Sequence, residues 1–276
     1  MKIDSHQHFW KYNSATYSWI TDEMSVIRKD FSPEDLKPLL LKNGISGCVA
    51  VQADQSEAET ETLLNYADRY DFIKGVIGWV DLNATDVENR LKYFSKNPFL
   101  KGIRHTVRDE KGQFMAAADF QQGIAALEKF NLTYDILAFD YQLESAVELV
   151  KSFPGQKFVL DHMGKPQVSD VPDEKWIENI QQLGEIENVW CKISGLVTEP
   201  KDFSWEPTDF SPFLEVVASA FGVERMMFGS DWPVCLSAAH YREVIEIVED
   251  FFSSYSEEDK DKIFGKNAAD FYNLKL

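Results

Sequence analysis

Two histidines separated by one residue, His6-Gln7-His8, lie at the start of the chain. In an extended strand alternate side chains share a face, so both imidazoles project the same way. Paired imidazoles at a strand end suit metal binding or proton transfer. Read alone, the pair is equally a chance occurrence on a surface turn, and its meaning depends on what the rest of the chain brings to it. Other residues of matching chemistry are Gln52, Trp79 and Asp81, Arg104-His105, Asp161-His162 with Lys165, Lys192 and Ser194, and Asp231-Trp232. Each ends or closely follows a short apolar run.

Those runs define the elements that must position them. Strands are expected over 3–8, 47–52, 74–80, 100–105, 133–137, 157–162, 189–194 and 225–231. They are short and continuously apolar, as strands of a parallel sheet buried on both faces are. Helices are expected between them, over 33–43, 56–70, 87–96, 120–130, 141–152, 174–183, 212–221 and 239–252. Ser32 followed by Pro33 marks the first helix start, and Asn43-Gly44 its end. Eight βα units in this length fit a closed (β/α)8 TIM-like barrel spanning 1–276 as one domain better than an open doubly wound sheet. No G-x-G-x-x-G follows the first strand, which argues against a dinucleotide fold. The aromatic-rich segment Phe9–Phe31 lacks helical periodicity and reads as a loop over the barrel mouth, placed to exclude water. The segment from Glu257 to Leu276 reads as helices closing the barrel.

In a barrel of this kind chemistry collects at the C-terminal ends of the strands. Four of the five histidines fall at such ends. The fifth, His240, opens a helix and is expected on the surface.

Composition excludes several functions. A formal net charge of −18 disfavours nucleic acid and anionic membranes, both of which reward a basic face. Acidic residues in helices such as 56–70 are expected to form solvated surface. With 44% hydrophobic and 27% charged residues the chain can build a large core, yet no apolar run is long enough to span a membrane. Cys48, Cys191 and Cys235 are few and scattered, which suits reduced thiols in a cytoplasm; the first and second lie in apolar runs and are expected in the core. No signal peptide is visible at the N-terminus.

The motifs also carry a family resemblance. His6-Gln7-His8-Phe9-Trp10 and Gly229-Ser230-Asp231-Trp232-Pro233 resemble the amidohydrolase superfamily. Gly102-Ile103-Arg104-His105, Leu160-Asp161-His162-Met163-Gly164-Lys165-Pro166, Trp190-Cys191-Lys192-Ile193-Ser194-Gly195-Leu196 and Gly265-Lys266-Asn267-Ala268 narrow the likeness to its sugar-acid lactone hydrolases, fuconolactonase-like and rhamnonolactonase-like. The resemblance covers essentially the whole chain and implies a distorted barrel and lactone hydrolysis. It departs from the metal-rich members, which carry a lysine on strand four and a histidine on strand five. Here those strands offer Arg104-His105 and Tyr134-Asp135-Ile136. A two-metal centre is therefore not expected. His6, His8, His162 and Asp231 could hold one divalent ion such as Zn²⁺, although lactonases of this branch include metal-independent ones.

The resemblance implies Asp231 as general base on water; the alternative is a carboxylate that only orients His6 or His8. His162 is the candidate to polarise the carbonyl, with Arg104 and His105 stabilising carbonyl or ring oxygen. The structural alternative for Arg104 and His105 is an ion pair with Asp81 or Asp135. Trp10, Gln52, Trp79, Lys165 and Trp232 are candidate contacts for a small-molecule sugar lactone, the aromatics being equally able to serve as packing. The rival functions are a metal-dependent decarboxylase or other hydrolase on the same scaffold, and a non-catalytic sugar-acid-binding barrel. The sequence gives no indication of the oligomeric state.

Overall fold

The structure is a computed structural model that describes residues 1–106 and 113–275. Leu276 and residues 107–112, although included in the expected 1–276 unit, lie outside the described residues. Eight parallel strands follow in chain order, β1 (Lys2–Gln7), β2 (Ile45–Val51), β3 (Ile73–Gly78), β4 (Leu100–Thr106), β5 (Thr133–Leu137), β6 (Phe158–Leu160), β7 (Val189–Ile193) and β8 (Met226–Phe228). The sheet curls into a nearly closed barrel. Just past β8, the Asp231 amide donates to the His6 carbonyl (2.8 Å) and the His8 amide to the Trp232 carbonyl (2.7 Å). Helices over Pro33–Lys42, Glu57–Arg69, Val87–Phe94, Ala118–Leu127, Leu143–Ser152, Glu174–Gly184, Ser211–Phe221 and Tyr241–Phe251 separate or follow the strands. Their apolar faces meet the outward-facing strand residues in a large core that includes Cys48, Cys191 and Cys235, all unpaired and buried.

Inside the barrel, Ile3, Val49, Val51, Ile77, Val159 and Met227 form an apolar layer. Residues of the C-terminal segment join this cluster, with Ala268, Phe271, Tyr272 and Leu274 packed against it. The helices over Glu257–Asp261 and Asn267–Phe271 thus close the barrel bottom as expected. The segment passes so close to β1 that a Cβ on Gly265 would lie 2.0 Å from the Met1 carbonyl oxygen.

A bulge on β1 sets the site. Three steps along β1, from Asp4 to Gln7, match two along β2, from Cys48 to Ala50. The extra residue shifts the alternation. Ile3 therefore joins the inner apolar layer, Asp4 turns outward to the Tyr241 hydroxyl (2.9 Å), and His6 and His8 return to the inside. The two imidazoles do share a face, with ring centroids 5.0 Å apart. No helix among the described residues is long and apolar enough to cross a membrane.

Candidate active site

Above the apolar layer the barrel interior becomes charged. Arg104 on β4, Asp135 on β5, Asp161 after β6 and Lys192 on β7 are all buried, and Arg104, Asp161 and Lys192 lie against His6. Lys192 Nζ lies 2.5 Å from Asp135 Oδ2, 3.0 Å from Asp161 Oδ1 and 3.1 Å from His6 Nδ1. Tyr272 donates its hydroxyl to Asp135 Oδ2 from below (2.8 Å). Arg104 Nη1 stands 3.1 Å from Asp161 Oδ2 and 3.2 Å from His6 Nε2, and Nη2 donates to the Gln52 carbonyl. The structural partner of Arg104 is thus Asp161, rather than Asp81 or Asp135. Burial alone would raise the Asp161 carboxyl, but Lys192, His6 and Arg104 hold it well below the usual carboxylate range.

The upper tier carries Asp231, His8 and His162. Val51's carbonyl can only accept, so the 2.8 Å contact to His8 Nδ1 places a hydrogen on that nitrogen. Nε2 then faces Asp231 Oδ1 at 3.2 Å. Two lone pairs at that distance require a proton or a cation between them. Burial would raise the Asp231 carboxyl, yet His162 and the His8 bond bring it below its ordinary value. Burial drives both His6 and His162 well below the normal imidazole range, so each is neutral at neutral pH.

Two backbone segments aim these groups, and both are strained. The strand expected to reach His162 ends at Leu160, and His162, Met163, Gly164 and Lys165 all have positive φ (55°, 54°, 70° and 47°). Asp231 also lies in the left-handed region, at φ 57°. Each non-glycine residue there costs about 1–2 kcal/mol, a cost the surroundings must offset. The offsets visible here are the bonds from Trp176 Nε1 to the Met163 carbonyl (3.0 Å), between Ser194 Oγ and His162 Nδ1 (2.9 Å), and the ion pair of Lys165 with Glu199.

Gly195 is the floor under the His162 ring. A Cβ there would lie 2.7 Å from Nδ1, and its φ is +70°. Gly195→Ala is expected to displace His162 and lower kcat/KM by about tenfold or more. Gly222→Ala is the control, since Gly222 shares a positive φ but has nothing within 4 Å of the added carbon. Steady-state kinetics and thermal unfolding of both variants separate lost geometry from lost stability.

These groups open into a cavity of about 580 Å³ lined by His8, Arg104, His162, Lys165 and Asp231 at its polar end. Leu137, Phe139, Tyr141, Phe203 and Val234 line the remainder, with Trp19 and Met24 contributed by the 9–31 segment. That segment is a lid whose ends are joined by an antiparallel bridge, Trp10 to Phe31. Of the other residues singled out from sequence, Trp10 packs against Tyr17, Trp19 and Phe31, and Trp232 against Phe9 and Phe31. Gln52 is buried behind the wall, its amide donating to the Arg104 carbonyl (3.1 Å). His105 follows Arg104 and so faces the other side of the strand, where it stacks on Phe114 (4.6 Å) and accepts from Trp79 Nε1 (3.1 Å). Burial lowers the His105 imidazole to about 4. The structure therefore does not bring Trp10, Gln52, Trp79, His105 or Trp232 to the cavity surface among the described residues. His240 is exposed as expected.

The ligating atoms of His6, His8 and Asp231 lie within 4.8 Å of one another, as do those of His6, Asp161 and His162. Two imidazoles and a carboxylate are a donor set that divalent metals take. The facing lone pairs of His8 and Asp231 accommodate such an ion, so the first group fits one.

Comparison with known proteins identifies the family. A sequence profile of the amidohydrolase family matches residues 3–274. The L-fucono-1,5-lactonase of Burkholderia multivorans is 36% identical over 99% of this chain and 96% of its own. That of Burkholderia ambifaria is 31% identical over the same shares. The crystal structure of an amidohydrolase from Burkholderia multivorans with bound Zn superposes over 100% of both chains with a TM-score of 0.95, at 37% identity. With the profile match running nearly end to end and two full-length relatives above 30% identity, this chain belongs to the amidohydrolase family, in its sugar-lactone-hydrolysing branch.

Proposed function

We propose that the protein opens an aldonolactone to its aldonic acid, with Asp231 as general base, and that L-fucono-1,5-lactone is a substrate. The observation that carries this reading is the polar end of the cavity. It presents an ionised carboxylate beside neutral histidine and guanidinium groups, which are the parts ester hydrolysis by water requires. His8 engages Asp231 Oδ1, leaving Oδ2 to take a proton from water as its oxygen attacks the lactone carbonyl carbon. With the Ser194 hydroxyl donating to His162 Nδ1, the His162 proton sits on Nε2 and is available to the carbonyl oxygen. Arg104 adds fixed positive charge as that oxygen becomes anionic. Collapse of the tetrahedral species breaks the ring C–O bond, and the proton held by Asp231 passes to the departing ring oxygen. Lys165 and the aromatic wall orient the sugar hydroxyls and ring face. The lid limits entry of bulk water.

A divalent ion, when bound, is held by His6, His8 and Asp231 and supplies Lewis-acid polarisation of an oxygen. Arg104 and Lys192 already place two positive charges beside His6, so hydrolysis is expected to survive chelation with little change in rate. Metal analysis of the chelated protein, paired with its activity, tests this; activity that vanishes on chelation and returns with Zn²⁺ would overturn it.

The test of the function is proton release from L-fucono-1,5-lactone and from rhamnono-, galactono- and arabinonolactones, with the uncatalysed rate subtracted. Acceleration of at least one is expected. If none is accelerated, the lactonase reading is wrong.

A further inference from the structure

The helix over Glu57–Arg69 contains one acidic residue that departs from its expected solvated face. Glu59 is only 8% exposed. It occupies the third position of the helix, after Ser56, whose hydroxyl caps its amide (3.2 Å). A glutamate there ordinarily turns back to the capping residue's own N–H. Glu59 instead reaches further back. Its Oε2 accepts from the amides of Ala53 (2.9 Å) and Asp54 (2.7 Å), and its Oε1 from the Tyr17 hydroxyl (3.3 Å).

These three bonds join parts of the molecule that the cavity depends on. Ala53 lines the cavity, and the residue before it, Gln52, accepts from the Arg104 guanidinium through its carbonyl. Tyr17 belongs to the lid, two residues before Trp19, which also lines the cavity. One carboxylate thus fastens both the turn that holds Arg104 and the lid that covers the substrate. The helix N-terminus favours that negative charge, while burial opposes it.

We infer that Glu59 is a positioning residue of the lactonase site, the joint through which the 53–54 turn and the lid are held in register over bound substrate. The inference rests on the proposed lactonase reading for its kinetic consequence, but not for its structural one. Arg104 keeps its contacts with Asp161 and His6, and Asp231 is untouched, so loss of the joint chiefly loosens the substrate's enclosure and acts on KM more than on kcat. Tyr17 from the lid and Asp54 from the turn are the titratable groups facing Glu59. Tyr66 of its own helix stands beside Tyr17, and Lys11 borders the same small hollow of about 240 Å³. Burial pushes the Glu59 carboxyl up to about 7. Enclosure should therefore weaken as pH falls through neutrality.

Glu59→Gln keeps the shape but replaces one accepting oxygen with an NH2 group, which can only donate. Its KM for L-fucono-1,5-lactone is expected to rise about tenfold with kcat changed by less than about threefold. The wild-type rise in KM below about pH 7 should disappear in this variant. Hydrogen exchange at the Ala53 and Asp54 amides and across residues 10–31 should accelerate, while that of β6 to β8 stays unchanged. Tyr17→Phe, which removes only the lid contact, should accelerate exchange in 10–31 alone; it serves if Glu59→Gln does not fold. Wild-type KM, an unaltered pH profile and unchanged exchange would overturn the inference. If the wild-type protein hydrolyses no lactone, the functional reading fails and the exchange data still decide whether Glu59 is the joint.

Discussion

Asp231→Asn is expected to lower kcat/KM for lactone hydrolysis by about 10³-fold, within the range general-base catalysis contributes. The substitution is nearly isosteric. Oδ1 can remain opposite His8 Nε2, where it now accepts from or avoids the ring rather than sharing a charge with it. What is lost is a group able to receive a proton from water. Since His162 holds the carboxyl below its ordinary value, the parent carries the base in its ionised form across the neutral range, and lowering the pH to about 6 should cost little through this residue. The variant should unfold within a few degrees of the parent, because Asp231 is one of several groups bridging β1 and β8. The Ser230 amide and hydroxyl to Asp4 (2.9 and 2.6 Å) and the backbone bonds to His6 and Trp232 remain in place. Kinetics and a thermal melt on the same preparation check both halves. A folded variant retaining more than about a tenth of the parent rate would assign the base elsewhere. His8 would then be the group to test, because it shares the contact and lines the same cavity.

What the sequence made legible follows from where the chain's periodicities end. Strand ends in a parallel barrel are marked by a polar residue after an apolar run. Reading those positions placed His6, His8, Arg104, His162 and Asp231 around one opening, and the closing role of the 257–276 segment followed from the count of units. The buried tier below was only partly legible for the same reason, since Asp161 and Lys192 read as strand-end residues and not as buried charges. Asp135 and Lys192 sit within apolar strands, where alternation alone does not separate a barrel-facing charge from a polar residue at a strand end. Only the pairing of three strands brings them together. His105 shows the converse error: it shares a strand end with Arg104, but adjacent residues face opposite sides. Glu59 was read as surface because an acidic residue in an amphipathic acidic helix normally is. Its partners are two backbone amides and a lid tyrosine 42 positions away, and backbone donors leave no mark on composition. The left-handed run at 162–165 was also invisible, since only Gly164 among those four residues announces a positive φ.

The largest stability effect is expected at Lys192. Lys192→Met removes a fully buried ammonium of similar length and leaves Asp135 and Asp161, which come from neighbouring strands, without the cation they share. Removing one partner of a buried ion pair typically costs about 3–5 kcal/mol, because the surviving charges keep their desolvation penalty. Here two carboxylates survive. Arg104 continues to serve Asp161, while among the described residues Asp135 keeps the Tyr272 hydroxyl alone. The pH dependence distinguishes this cause from simple loss of packing. In the parent, the depressed Asp161 carboxyl contributes stability that is present above its unfolded value of about 4 and is lost as pH falls through the folded one. In the variant, the burial that opposes ionisation of Asp135 and Asp161 goes unanswered by the ammonium. A carboxyl raised in this way binds its proton more tightly folded than unfolded, so stability falls as pH climbs from about 4 towards neutrality. The deficit relative to the parent should therefore be smallest near pH 5 and largest near pH 8, as read by urea unfolding at both values. Adding Asp135→Asn should recover part of the loss at pH 8, since the amide can still accept from Tyr272 and carries no charge. A deficit under about 1 kcal/mol, or one independent of pH, would mean that Lys192 is held by packing and that the Arg104 guanidinium neutralises the tier without it.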